Sequence, residues 1–111
     1  MSKDSRTLEE WQKEIHRIAK DKGWHEMDRN EAEIISLIHS ELSEALEEYR
    51  EGNMDIYYED GKPEGYVVEL VDVLIRILDH LEERDVDTEK VLREKCDYNR
   101  DRNERHGGKR I

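Results

Sequence analysis

The most constraining stretch of the sequence is residues 66–83, YVVELVDVLIRILDHLEE, in which apolar residues outnumber polar ones. Drawn as an α-helix at about 100° per residue, the stretch places apolar side chains around most of its circumference. The remaining stripe, about 100° wide, holds Glu69, Asp72, Arg76, Asp79 and His80. We therefore expect this helix to be surrounded by other helices, with its carboxylates in a narrow polar groove.

Four helices are predicted from apolar residues that recur three or four positions apart. They cover residues 7–22, 30–51, 65–83 and 88–104. Gly23 and Gly52 are placed to end the first two helices, and Asp87 to cap the fourth. The segment NMDIYYEDGKPEGY between the second and third helices contains turn residues and predicts a short irregular or extended arm. The pattern indicates an all-α fold of the four-helix bundle type.

A single domain, 1–111, is expected for a chain of this length. With 34% hydrophobic and 44% charged residues, the chain would bury more apolar surface as an oligomer. The segment 93–111 holds seven Lys or Arg and four acidic residues, so it carries +3 and the preceding 92 residues carry −14. We expect this basic C-terminal segment to be partly mobile.

The net charge of −11 argues against a nucleic-acid polymer as partner, because such binding depends on Lys and Arg that neutralise phosphates. A small anion can still bind the basic C-terminal segment. The N-terminus lacks the apolar core of a signal peptide, and no run approaches the roughly 18 apolar residues of a membrane span. Cys96 is the only cysteine, which excludes an internal disulfide and fits a reducing compartment. We expect a cytoplasmic protein without a membrane partner.

Carboxylates of the second and third helices are expected to face each other. Glu41 and Glu44 lie on one flank of the second helix, and an antiparallel hairpin of helices would set them opposite Glu69 and Asp72. Oxygen ligands of this kind suit a hard divalent cation such as Mg²⁺, with Mn²⁺ as a substitute. The alternative is that the polar stripe simply faces water, with Arg76 in a structural ion-pair ladder.

Other metals are less well supported by the sequence. Di-iron bundles use Glu-x-x-His on two helices, and none of the five histidines has a glutamate three positions before it. A zinc site is not favoured either, because the chain has one cysteine and scattered histidines.

Several motifs together resemble a known family. They are Glu41-Leu-Ser-Glu44, Glu69-Leu-Val-Asp72 and Lys95-x-x-x-Asn99 with Arg102, within the longer stretches LIHSELSEALEEYR, DGKPEGYVVELVDVLIRILD and YNRDRNERHGGK. In these motifs the chain resembles small single-domain members of the MazG-like all-α nucleoside triphosphate pyrophosphohydrolases. The resemblance extends from about Trp11 to Lys109.

The resemblance implies a Mg²⁺-dependent enzyme that hydrolyses an NTP or dNTP to the monophosphate and pyrophosphate, for nucleotide-pool control or house-cleaning. It also implies a homodimer or homotetramer. By this resemblance the catalytic metal ligands would be Glu41, Glu44, Glu69 and Asp72. The residues that contact the triphosphate would be Lys95, Asn99 and Arg102.

The family often has a glutamate directly before the first of these acids, where this chain has Ser40. The number of metal ions and the general base are therefore left open. Glu48 shares the face of Glu41 and Glu44 and is a candidate outer ligand.

Further residues are candidates for substrate contacts. Trp24 and His25 follow the helix-ending Gly23 and are predicted either to stack on and hydrogen-bond a base or to plug the core. Lys62 and Lys109 are predicted either to close over the phosphates or to be ordinary solvated lysines. The competing hypothesis from another functional class is a non-enzymatic acidic helical oligomer that acts as a protein-interaction module.

Overall fold

The computed structural model of the protein describes residues 5–105, with side chains up to residue 102. It contains four helices, α1 (Leu8–Asp21), α2 (Glu31–Arg50), α3 (Tyr66–Glu83) and α4 (Thr88–Arg105). The predicted arm between α2 and α3 is a hairpin of two short antiparallel strands, β1 (Tyr57–Glu59) and β2 (Lys62–Glu64). The four predicted helices are confirmed to within a residue or two, and the arm is extended.

Local hydrogen bonds explain where the helices begin. Thr7 and Asn30 each accept a hydrogen bond from the third residue of the following helix, and a glutamate at that position bonds back to the cap residue. Such capping boxes satisfy amides that the helix itself leaves unpaired. At the start of α4, the Asp87 carboxylate accepts from the Lys90 amide at 3.3 Å, as predicted for a cap.

The end of α1 determines where the next segment lies. Gly23 has a φ of +86°, a left-handed conformation that glycine adopts without a steric penalty. The Trp24 amide then donates to the Ala19 carbonyl at 3.0 Å, which closes the last turn. The chain is thereby reversed, and Trp24 and His25 lie next to α3.

Helix α3 is the central element, since both α1 and α2 pack against it, and α4 packs against α1. Among the described residues, four apolar residues are buried, and two of them are alanines: Ala19, Ile38, Ala45 and Leu78. Three polar side chains are buried with them, namely Gln12, Glu69 and Asp79. Buried polar groups need compensating partners, so Glu69 and Asp79 mark places where the interior is adapted to charge.

The prediction that α3 is surrounded by helices is not fulfilled within one chain. Val67, Leu70, Val71 and Leu74 remain between 39% and 50% exposed, because α4 lies against α1 rather than over this side of α3. Neighbouring α2 exposes a matching row of apolar side chains. We call these eight residues the α2–α3 apolar face: Ile35, Leu42, Leu46, Tyr49, Val67, Leu70, Val71 and Leu74. Within residues 5–105, no helix is both long and apolar enough to cross a membrane.

Candidate metal and nucleotide site

Carboxylates from α2, α3 and strand β2 meet at the α2–α3 junction. We call this set the carboxylate cluster: Glu41, Glu44, Glu48, Glu64, Glu69 and Asp72. Glu41 contacts Arg76 late in α3, whereas Glu48 lies near Glu69 early in α3. The contacts run in opposite directions along the two helices, so α2 and α3 are antiparallel, as predicted.

The cluster contains two groups of three carboxylates, and both groups include Glu69. One oxygen from each of Glu41, Glu44 and Glu69 lies within 4.8 Å of the other two. The same holds for Glu48, Glu64 and Glu69. Glu69 therefore lies at the centre of the carboxylate cluster.

Burial and the negative charges of neighbouring carboxylates disfavour the ionised form of Glu69. Its side chain is only 8% exposed, and burial together with the charges of neighbouring acids, Glu44 first, raises its pKa to about 7. Burial and the Glu41 charge also raise the pKa of Asp72, against an opposing effect of Arg76. A bound proton or a cation would relieve the repulsion among these carboxylates. Since every donor is a carboxylate oxygen, the residues fit a hard divalent cation such as Mg²⁺.

The hairpin adds a carboxylate and a lysine contact that the sequence did not reveal. Glu64 enters the cluster from β2, and Lys62 pairs with it, with 3.3 Å between Nζ and the carboxylate. The Lys62 charge also acts on Asp72. The turn residues Asp60 and Gly61 predicted the arm, and Lys62 was one candidate for a contact with the site, but Glu64 was not predicted to join the carboxylates.

Glu48, a candidate outer ligand in the sequence, is held by two donors beside the hairpin. The Asn53 side chain donates to Glu48 Oε1 at 2.9 Å, and the Tyr57 hydroxyl donates to Oε2 at 3.2 Å. Asn53 lies in the segment that links α2 to β1, and Tyr57 is the first residue of β1. Glu48 is therefore oriented toward the cluster rather than left as a solvated charge.

Gly65 permits the close approach of this segment to α3. Its φ is +117°, and a Cβ atom there would lie 2.3 Å from the carbonyl oxygen of Asp55. The next amide, of Tyr66, donates to the Asn53 carbonyl at 2.9 Å. The connection between β2, which carries Glu64, and α3, which carries Glu69, therefore requires glycine at position 65.

Arg76 connects the carboxylate cluster to an open cavity of about 230 Å³. Its Nε atom donates to Glu41 at 3.2 Å, and its guanidinium carbon lies 5.2 Å from the centre of the Trp24 ring. Trp24 and Arg76 both line the cavity, together with Met27, Arg29, Ile34 and Leu37. Trp24 is partly exposed on a cavity wall and is not a core plug.

His25 lies on the same cavity wall, but it is engaged by α3. Its Nε2 atom is 2.9 and 3.0 Å from the two oxygens of Asp79. The sequence left His25 open between hydrogen bonding to a base and a place in the core, and it gave no indication of Asp79 as its partner.

The basic residues predicted on the fourth helix are not brought to the carboxylate cluster within one chain. Asn99 lies on α4 with Lys95 and Arg102, both of which lie over the Tyr98 ring, at 5.1 and 5.7 Å. Neither Lys95 nor Arg102 is among the principal charges that shift Glu69 or Asp72. The turn after α3 directs α4 toward α1. Lys109 lies outside the described residues.

The structure thus brings together Glu41, Glu44, Glu69 and Asp72 and adds Glu48 and Glu64 to them. No family model matches the chain, and neither a curated protein nor a solved structure matches it.

Proposed function

We propose that the protein is a Mg²⁺-dependent hydrolase that converts an NTP or dNTP to the nucleoside monophosphate and pyrophosphate, like the MazG-like enzymes its motifs resemble. The observation that carries the proposal is the position of Glu69, buried and shared by two groups of carboxylates. The acids around it include those of the motifs Glu41-x-x-Glu44 and Glu69-x-x-Asp72. We expect this activity in the cytoplasm, where nucleotides are present.

In this proposal Glu41, Glu44, Glu69 and Asp72 hold Mg²⁺, with Mn²⁺ as a substitute, and Glu48 and Glu64 add further oxygens. A cation bound there would neutralise phosphate charge and lower the pKa of a coordinated water. The two groups that share Glu69 support more than one cation position.

The substrate would extend from the carboxylate cluster to the neighbouring cavity. Lys62, which lies beside Glu64 and acts on Asp72, would bind a phosphate oxygen. Arg76 lies between the cluster and Trp24, so the ribose would pass close to it. Trp24 offers an exposed aromatic surface on which a base can stack.

We propose that the α2–α3 apolar face is covered by a second copy of the chain, which gives a homodimer or homotetramer. Leu42, Leu46 and Leu70 of this face line one open groove. Exposed apolar side chains on two neighbouring helices are typical of an interface, and a closed symmetric pairing would cover them on both copies. The proposed phosphate contacts of Lys95, Asn99 and Arg102 then depend on the assembly, which must bring an α4 helix to the cluster.

The same apolar face supports the rival hypothesis of a non-enzymatic protein-interaction module. That module would need neither the buried carboxylate of Glu69 nor a divalent cation. The two hypotheses therefore differ in a directly measurable way.

The test is a panel of NTPs and dNTPs incubated with the protein and Mg²⁺, with pyrophosphate and monophosphate identified as products. We expect hydrolysis of at least one nucleotide and its loss on chelation of Mg²⁺. Glu41→Gln and Glu69→Gln should lower the rate roughly a hundred-fold or more, because each removes a charge that holds the cation. Glu47→Gln is the matched control, because Glu47 lies on the same helix, outside the carboxylate cluster, and pairs with exposed Arg50. Full activity in Glu69→Gln, or no hydrolysis of any nucleotide, would refute the proposal.

A further inference from the structure

A second cluster of ionisable side chains lies apart from the carboxylate cluster. His16 from α1 and His25 from the segment after α1 have ring centres 4.9 Å apart and ring planes at 65°. Both rings lie between Asp79 and Glu83, which are one helical turn apart on α3. We call these four residues the histidine cluster.

Asp79 fixes the orientation of both rings. Its Oδ1 atom is 2.9 Å from His16 Nδ1 and 2.9 Å from His25 Nε2. Asp79 is buried, and an ionised carboxylate can only accept hydrogen bonds. Each ring therefore donates one N–H group to Asp79, and its other nitrogen is left for a different partner.

Those other nitrogens lie near Glu83. His16 Nε2 is 3.3 Å and His25 Nδ1 is 3.7 Å from Glu83 Oε1. In neutral imidazoles these nitrogens carry lone pairs, which do not favour contact with a carboxylate oxygen. A metal ion between the three atoms would be bound by both lone pairs and by the carboxylate oxygen.

We propose that His16 Nε2, His25 Nδ1 and Glu83 bind a transition-metal ion of the Zn²⁺ class. One ligand atom of each residue lies within 4.8 Å of the other two. The separations of 3.3 and 3.7 Å from Glu83 are close to the roughly 3.3 Å between two ligands of a tetrahedral ion with bonds of about 2.0–2.1 Å. Imidazole nitrogens prefer such ions to Mg²⁺, so the chemistry differs from that of the carboxylate cluster.

Asp79 has the position of an outer-sphere partner. Histidines that bind a metal usually donate their second ring N–H to a carboxylate, which fixes the ring and increases its basicity. Here one carboxylate serves both rings. The ion would join α1, the segment around His25 and α3, and so would fix the wall of the cavity beside Trp24.

The test uses the full-length chain, freed of metal with EDTA and titrated with Co²⁺ as a spectroscopic probe. Tetrahedral Co²⁺ absorbs visible light much more strongly than octahedral Co²⁺ bound by carboxylates and water. We expect the strong spectrum to saturate at one equivalent and to be abolished by Zn²⁺ but not by Mg²⁺. Zn²⁺ should also raise the melting temperature, because an ion bound only by the folded state stabilises it.

Variants assign the signal to the proposed ligands. His16→Gln, His25→Gln and Glu83→Gln should each abolish the strong spectrum, and Asp79→Asn should weaken binding roughly 10- to 100-fold. His39→Gln and Glu47→Gln, which alter exposed residues of α2, should keep it. Glu83 is half exposed, so Glu83→Gln should retain its helical circular dichroism even if a histidine variant unfolds.

A wild-type protein that gives only the weak octahedral spectrum would overturn the proposal. Persistence of the strong spectrum in Glu83→Gln and in a folded histidine variant would do the same. Hydrolysis with Mg²⁺ is measured separately, so the two proposals can fail independently.

Discussion

Glu69 is enclosed by α2 and α3 at 8% exposure, and four other carboxylates act on it. Its pKa in the folded protein, about 7, lies above the ordinary value of 4.5. The folded state therefore binds a proton more tightly than the unfolded state. The corresponding contribution to stability is fully present below about pH 4.5 and is lost as the pH rises through about 7.

We predict that Glu69→Gln stabilises the metal-free protein at pH 8 by about 2 kcal/mol, since one pKa unit corresponds to about 1.4 kcal/mol. The gain should be much smaller at pH 5, where the folded wild type already carries the proton. Urea denaturation in EDTA, followed by circular dichroism at both pH values, measures the difference. Glu47→Gln should change stability by less than about 0.5 kcal/mol. A destabilised Glu69→Gln at pH 8 would contradict this view of the cluster.

Helical phase was sufficient to predict the pairs Glu41/Glu44 and Glu69/Asp72, because the members of each pair share one helix face. Helical phase could not predict the histidine cluster. His16 and His25 are separated by the end of α1, and their meeting depends on the chain reversal at Gly23. Periodicity carries no information across such a turn, so the sequence did not favour a zinc site.

At the scale of elements, the hairpin is the part of the site that depends most on backbone conformation. It carries Lys62 and Glu64 to the carboxylate cluster, and its end is fixed at Gly65. The positions of the helices could be predicted from local periodicity. The packing of the hairpin depends instead on the close approach of Asp55 to Gly65. That approach is a tertiary contact which turn residues alone do not specify.

We predict that Gly65→Ala destabilises the protein by roughly 2–4 kcal/mol, because the backbone conformation is open almost only to glycine and the new methyl group meets the Asp55 carbonyl. Gly61→Ala is the matched control in the same hairpin. Its φ is also positive, +81°, but a Cβ there meets nothing within 4 Å. Thermal denaturation should show a clearly larger loss of stability for Gly65→Ala than for Gly61→Ala. Equal losses would show that the contact with the Asp55 carbonyl does not matter for stability.

For the whole molecule, the α2–α3 apolar face is the feature that one chain leaves incomplete. The sequence predicted that α3 would be enclosed, and within residues 5–105 it is enclosed on the sides of α1 and α2 only. The cause is the direction of α4, which depends on the turn after Glu83. Amphipathic patterns predict which faces seek burial but not which element covers them.

We predict that Leu46→Glu converts the proposed oligomer to a monomer, because it places a charge within the proposed interface. Light scattering coupled to size-exclusion chromatography measures the mass. Ile18→Glu on α1 is the control, because Ile18 is 45% exposed and Leu46 is 46% exposed, and only Leu46 belongs to the apolar face. A monomeric wild type at micromolar concentration would rule out this interface.

Helix α3 carries residues of both clusters, and this has a consequence for its length. Asp72 and Asp79 are seven residues apart, which is about 10 Å along a helix axis and close to two complete turns. Both carboxylates therefore lie on nearly the same side of α3, one next to α2 and the other next to α1. A single residue inserted between them would rotate one relative to the other by about 100°. The spacing within α3 is thus fixed by two sites at once, and insertions or deletions in residues 73–78 would disrupt one of them even where the apolar character is kept.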